Sequence, residues 1–232
     1  MKILTISDVV DHLVQSPNIC ERFADIDLIL GCGDLPFAYM EYIVTMLGKP
    51  MYFVYGNHAQ DVVMNADGYR EHRTPGGCVN IHRRVVNYKG LLIGGLEGSV
   101  RYNMGAHQYS QIQMKWIARS MTPQLLWNQL FCGRAIDILI THAPPWGIHD
   151  ADDLPHHGFK AYLEFMDRWR PRYLIHGHTH LYRLDAMRQT QYNETIVINT
   201  YGYQVLEINV EALRCEANCY PPMATPKSSA GG

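Results

Sequence analysis

Four short segments rich in metal-binding side chains each close an apolar, β-prone run: Gly33-Asp34, Gly56-Asn57-His58, Thr141-His142 and Gly177-His178-Thr179-His180. Carboxylate, amide and imidazole donors delivered from several strand ends suit two divalent cations about 3.5–4 Å apart that activate a water for attack on a phosphoester. Asp8 ends the first apolar run, Asp34 the second, and Asn57 and His58 follow the third, so successive β-α units place acceptors at equivalent carboxyl ends. A lone Gly-Asp or Gly-Asn is an ordinary turn, but repetition after three successive runs points to a site. In His176-Gly177-His178-Thr179-His180, alternate residues of an extended segment point the same way, so His178 and His180 are expected to face that site together.

Such donors need short buried strands to carry them. Residues 2–7, 28–33 and 51–56 are aliphatic and β-prone, and the helix-length stretches between them predict a doubly wound β-α-β-α-β half. The runs 81–86 and 91–96 lie either side of Asn87-Tyr88-Lys89-Gly90, whose glycine supports a four-residue hairpin turn and starts an antiparallel component. Gln108 to Ser120 and Pro123 to Phe131 read as helices, the second with Thr122 as N-cap and Pro123 at its first position. A strand over 136–141 ends at His142, and Ala143-Pro144-Pro145-Trp146-Gly147 breaks it into a loop. A helix from Phe159 to Trp169 then stops at Arg170-Pro171, before a strand at 173–176. Strand-like runs at 181–187, 195–201 and 203–210 follow. This order predicts an α/β fold of two mixed sheets packed face to face with helices on the outer faces, as one domain over residues 1–215. Residues 216–232, with Pro221-Pro222 and a polar end, hold too little apolar surface to order themselves and are expected to form a flexible tail.

The chain has 232 residues, 47% hydrophobic and 18% charged, enough for one substantial core. Its formal charge of -2 gives no global basic field for gripping nucleic acid, whereas a small anionic substrate held by metal ions needs none. The apolar start meets Asp8 too soon for a secretory leader, and no apolar run reaches the roughly 18 residues of a membrane span. Cys20, Cys32, Cys78, Cys132, Cys215 and Cys219 form no framework of close pairs, which suits a reducing cytoplasm. Cys215 and Cys219 are close to each other, but a zinc knuckle would need a matching second pair.

On these motifs the chain resembles the calcineurin-like metallophosphoesterase superfamily, whose pattern runs Asp-x-His, Gly-Asp, Gly-Asn-His-Asp/Glu, His, Gly-His-x-His. The resemblance spans residues 3 to about 208. Gly94-Gly95-Leu96-Glu97-Gly98-Ser99-Val100-Arg101-Tyr102-Asn103 and Thr141-His142-Ala143-Pro144-Pro145 are similar to predicted bacterial phosphoesterases related to the cyclic-nucleotide phosphodiesterases. The resemblance implies a four-layer αββα sandwich and hydrolysis of phosphomonoesters or phosphodiesters by a metal-bridged hydroxide. It also implies that Asp34 bridges two divalent ions, that Asn57, His142 and His178 complete the second site, and that Asp8 and His180 hold the first. His58 would be the general acid. Manganese is the first expectation for the metal, with iron, zinc, nickel and magnesium as alternatives.

Two positions depart from the pattern. Val10 stands where Asp-x-His requires histidine, and valine cannot ligate. Asp11 or His12 could bend back instead, and Asp11 is preferred because hard carboxylates suit Mn²⁺ or Mg²⁺; the competing roles are a cap for Asp11 and a solvated ring for His12. Ala59 replaces the acid that would orient His58, with Asp61 as a candidate substitute. These losses motivate the alternative of a degenerate, non-catalytic metal- or nucleotide-binding scaffold. A metallo-β-lactamase-like enzyme is disfavoured because no His-x-His-x-Asp-His cluster occurs early in the chain.

Around the core of the site, Arg101 follows a glycine-rich turn and could clamp a phosphate oxygen, with Tyr102 and Asn103 framing the leaving group. His149-Asp150, Asp152-Asp153 and His156-His157 lie in the loop after His142, able to meet substrate or simply to be solvated. Tyr39, Tyr42, Tyr55, Tyr102 and Tyr109 could line a cleft for a nucleotide base, although core packing explains most tyrosines more simply. The loss at Val10 predicts unequal metal sites. Titration with Mn²⁺ should resolve one tight and one weaker ion, and two equally tight ions would contradict this.

Overall fold

The structure, a computed structural model, describes residues 1–59, 62–64, 70–182 and 186–213. Asp61, Cys215, Cys219 and the expected tail lie outside them. The described cysteines Cys20, Cys32, Cys78 and Cys132 are free thiols. No helix among the described residues is long and apolar enough to cross a membrane.

The first half runs β1 (Lys2–Ser7), α1 (Ile19–Arg22), β2 (Leu28–Gly31), α2 (Phe37–Leu47), β3 (Met51–Phe53), β4 (Val62–Met64), β5 (Arg70–His72) and β6 (Cys78–Asn80). The first connection does not fold as a full helix: residues 11–15 form turns and α1 is a single turn. The second half runs β7 (Val85–Tyr88), β8 (Leu91–Leu96), β9 (Ser99–Val100), β10 (Gln108–Tyr109), α3 (Gln111–Ser120), α4 (Thr122–Cys132), β11 (Ile138–Thr141), a 3₁₀ turn (Leu154–His156), α5 (Lys160–Trp169), β12 (Tyr173–His176), β13 (Gln189–Tyr192), β14 (Thr195–Asn199) and β15 (Gly202–Glu207).

Two mixed sheets result. The first has the order β15-β1-β2-β3-β6, parallel except for β15. The second has the order β13-β14-β12-β11-β8-β7, with a parallel centre and antiparallel edges β13 and β7. The two-residue period of a strand divides the apolar side chains between layers. Ile3, Leu28, Leu30, Ile93, Ile138, Ile140 and Ile175 fill the space between the sheets. Leu4, Ile6, Ile29, Met51 and Phe53 point outward against α1 and α2, and Leu92, Leu139, Leu174 and Val197 outward against α3, α4 and α5. The molecule is therefore the expected αββα sandwich. Helix α5 shows the logic clearly: Ala161, Tyr162, Phe165, Met166 and Trp169 form its buried stripe, and Arg170 ends it in the left-handed region at φ 49°.

Local details differ from expectation. The run 81–84 is a turn, with Arg83 at φ 59°, so β7 starts at Val85; the hairpin closes in two residues, Lys89 and Gly90, both at positive φ. Residues 108–109 pair as β10, and Ser110 starts α3 with a full capping box to Gln113. Thr122 lies inside α4, whose N-cap is Met121, because α3 and α4 abut too closely to leave a free capping residue. The strand expected over 181–187 forms instead at β13; residues 183–185 lie outside the described residues.

Buried Asp137 locks the strand that leads to His142. It accepts from Leu92 N at 2.8 Å and forms a forked pair with Arg134, while Arg134 also reaches Gly90 O at 2.6 Å. Asp137→Ala would leave the Leu92 N–H without its acceptor and the guanidinium without its counter-charge, so urea unfolding should show a loss of about 3 kcal/mol.

Candidate metal centre

Strands β1, β2 and β3 run parallel in one sheet and β11 and β12 parallel in the other, and the donors follow their carboxyl ends. Asp8, Asp34 and His178 leave their strands at φ 65°, 53° and 66°. Left-handed backbone is unfavourable for non-glycine residues and persists where surrounding contacts enforce it, here at three converging positions. His178 is thus not in an extended segment. The reversal of the chain, rather than strand alternation, brings it to the site.

The tightest group is Asp34, His142 and His178, whose ligand atoms lie within 4.8 Å of one another, the one such three-residue group found among the described residues. His142 Nε2 is 3.1 Å from Asp34 Oδ2 and 3.1 Å from Asn57 Oδ1. Its Nδ1–H donates to Cys32 O at 2.8 Å, which aims Nε2 inward. His178 Nε2–H donates to Pro155 O at 2.7 Å, and the His178 ring lies edge-on to that of His142 with centroids 4.7 Å apart. Asn57 is oriented by its Nδ2–H donating to Tyr102 Oη at 3.0 Å, and Asp34 Oδ1 accepts from His58 N at 2.8 Å. Oxygen and imidazole donors with lone pairs turned to one point fit a divalent cation.

Asp8 and His180 form a looser flank. The buried Asp8 carboxylate accepts from His178 N at 2.9 and 3.1 Å and from Ser7 Oγ, and His180 Nε2 stands 3.9 Å away. Gly177 is required here, since a Cβ would collide with Ser7 Oγ and Asp8 Oδ2; at Gly56 a Cβ would collide with the Asp34 carboxylate. Val10 is exposed. Asp11 Oδ1 accepts from Leu13 N at 2.8 Å and its carbonyl from Val14 N and Gln15 N, so Asp11 caps a turn, and neither it nor the exposed His12 joins the three-donor group.

Other anticipated residues take different places. Arg101 donates to Gln108 O at 3.2 Å and Gln113 Oε1 at 2.9 Å, tying it to the start of α3. His149 Nδ1 meets His176 Nε2 at 3.0 Å and its Nε2 meets Thr190 Oγ1 at 2.8 Å, bracing the end of β12 from behind. Asp150 closes its own loop through Gly147 N and Gly158 N. Of the five tyrosines, Tyr102 touches the cluster; Tyr39 is buried in the core, Tyr42 bonds Ser16 O, Tyr55 stacks on His107 with centroids 5.0 Å apart and Tyr109 bonds Glu97. His58 has an exposed ring that makes no hydrogen bond among the described residues. His156, left unassigned from sequence, overhangs the site: its ring is 5.0 Å from that of His178, and its Nδ1 is 2.6 Å from Asp153 Oδ2. The bracing carbonyls of Cys32 and Pro155 carry no side-chain signal, so no motif could have announced them.

The electrostatics follow from burial and this packing. Burial works against a charged His142, yet the carboxylates of Asp34 and Asp8 and the Cys32 carbonyl outweigh it and raise its pKa to about 9. Burial would raise Asp34, but His142 and the His58 N–H hold it well below the usual carboxylate range. Burial, then the neighbouring His142 charge, lowers His178 to about 3, keeping its imidazole neutral. Asp8 is raised, by burial above all.

A family model described as calcineurin-like phosphoesterase matches residues 1–182. Among solved structures, the TT1561 protein of Thermus thermophilus superposes with a TM-score of 0.54 at 14% identity, over 91% of this chain and 95% of that one. GAP50, described as the anchor in the inner membrane complex of Plasmodium, gives a TM-score of 0.50 at 12% identity, over 87% and 71%. No curated protein matches the chain significantly.

A cation at His142 Nε2 must displace the proton that Asp34 stabilises. With that proton leaving only near pH 9, affinity for the tight ion should rise by about tenfold per pH unit through neutrality and level off above about 9. Calorimetry in buffers of different ionisation heat should count about one proton released per tight ion; release of none would contradict the assignment.

Proposed function

The chain belongs to the calcineurin-like phosphoesterase family, and from that premise we propose that it is a metal-dependent phosphoric ester hydrolase acting on phosphomonoesters or phosphodiesters. The observation that carries this reading is the convergence of Asp34, Asn57, His142 and His178 from both sheets on one point. These four would hold one divalent ion, and Asp8 with His180, sharing Asp34, would hold a second more weakly; Mn²⁺ suits the set best. When bound, such ions polarise a phosphoryl oxygen and lower the pKa of the attacking water.

The chain's own groups do the rest. Cys32 O and Pro155 O fix the tautomers of His142 and His178, Tyr102 turns Asn57 Oδ1 toward His142, and Ser7 and His178 N hold the Asp8 carboxylate. His58 is anchored through its backbone N–H on Asp34, with its ring free to swing to the substrate. As water attacks phosphorus and the bond to the leaving oxygen breaks, a ring N–H of His58 gives its proton to that oxygen. Arg101, bound to Gln108 and Gln113, would reach a phosphate only by exchanging those partners.

A second reading, a metal- or nucleotide-binding scaffold without turnover, draws on Val10 and Ala59, and a fold alone does not guarantee catalysis. Kinetics separate the two. Wild type with Mn²⁺ should hydrolyse an aryl phosphodiester, and His58→Ala should lower kcat by about 10²-fold or more for a poor alkyl leaving group and by less for nitrophenolate, which needs little protonation. No turnover on a broad phosphoester panel, despite bound Mn²⁺, would favour the scaffold.

A further inference from the structure

Helix α4 is oriented with its polarity reversed. Its sheet side carries one fully buried apolar residue, Leu125, together with two amides that serve the backbone. Gln124 Oε1 accepts from Val85 N at 2.8 Å and its Nε2–H donates to Val85 O at 2.6 Å, closing the free edge of β7, while Asn128 Nδ2–H donates to Ala135 O at 3.1 Å. The outward face holds the larger apolar groups: Leu126, Trp127, Leu130 and Phe131 are 49%, 64%, 76% and 62% exposed. They occupy i, i+1, i+4 and i+5 and so share one side of the helix, and the Trp127 and Phe131 rings lie 4.2 Å apart. By contrast α5, on the same sheet, turns its apolar stripe inward.

From this we infer that a second copy of this chain docks on the outer face of α4, forming a two-fold dimer centred on Trp127 and Phe131. The area is of the right size. Taking about 150–250 Å² for a fully exposed aromatic side chain and somewhat less for leucine, the four residues leave on the order of 500 Å² of apolar surface. A standard interface of about 800 Å² per subunit that is about 65% apolar needs about 520 Å². The charge pattern selects the occupant. No residue of Thr122–Cys132 is charged, so the face has nothing to complement an acidic or basic partner, and it lacks the lysines and arginines of helices that lie on membranes. A patch meeting its own image across a two-fold axis needs no complementary charge. Trp127 and Phe131 at its centre match the aromatic core of such interfaces.

Sedimentation velocity of the full chain over a concentration series tests this. Wild type should sediment as a dimer with a micromolar or tighter dissociation constant. Leu130→Glu and Trp127→Ser should each weaken the dimer by about 30-fold or more, with circular dichroism and the urea midpoint unchanged because both side chains lie outside the core. A wild-type chain still monomeric at about 100 µM, where a micromolar interface would be saturated, would overturn the proposal. So would a dimer unaffected by both substitutions, or a monomer that floats with phosphatidylcholine vesicles through this face.

Discussion

Two cross-sheet contacts carry the architecture of this site: His142 of the second sheet donates to Cys32 O of the first, and His178 N of the second donates to Asp8 of the first. Each joins a candidate ligand to the opposite sheet. The packing of two sheets through Ile3, Leu30, Ile140 and Ile175 therefore sets the spacing of the donors, and the donors in turn pin the sheets at their carboxyl edges.

The same geometry explains the charge state. Asp34 and His142 are brought together out of water, so each makes the charged form of the other more stable than burial alone would allow. On the proposed reading, a cation bound by His142 Nε2 would replace the proton shared with Asp34, one positive charge for another. The Asp8 and His180 flank has no comparable pairing at 3.9 Å, in keeping with the loss of an imidazole at Val10.

Much of this was legible in the residues. The strand at 173–176 and the helix up to Trp169 are fixed by a local apolar period and a clear stop at Arg170-Pro171, and both form where the pattern places them. That Asp34, Asn57, His142 and His178 come together was legible because each closes an apolar run, three of them just after a glycine and His142 directly at the strand end. Tertiary context decided the rest. Residues 11–18 bury one apolar side chain, Val14, too little to hold a helix running into α1, and Thr122 lost its capping role because α3 ends one residue short of Met121. Arg101 found nearer acceptors at Gln108 and Gln113. The convergence of His178 rests on a left-handed residue, and its orientation on a proline carbonyl, neither of which a side-chain pattern encodes.

The central claim is positional: one cation belongs where Asp34, Asn57, His142 and His178 meet. Anomalous scattering at the manganese edge, on crystals grown with Mn²⁺, tests it most directly. The account predicts its strongest peak bonded to those four residues and a weaker peak beside Asp8 and His180. Manganese bound elsewhere, with no peak among the four, would contradict it.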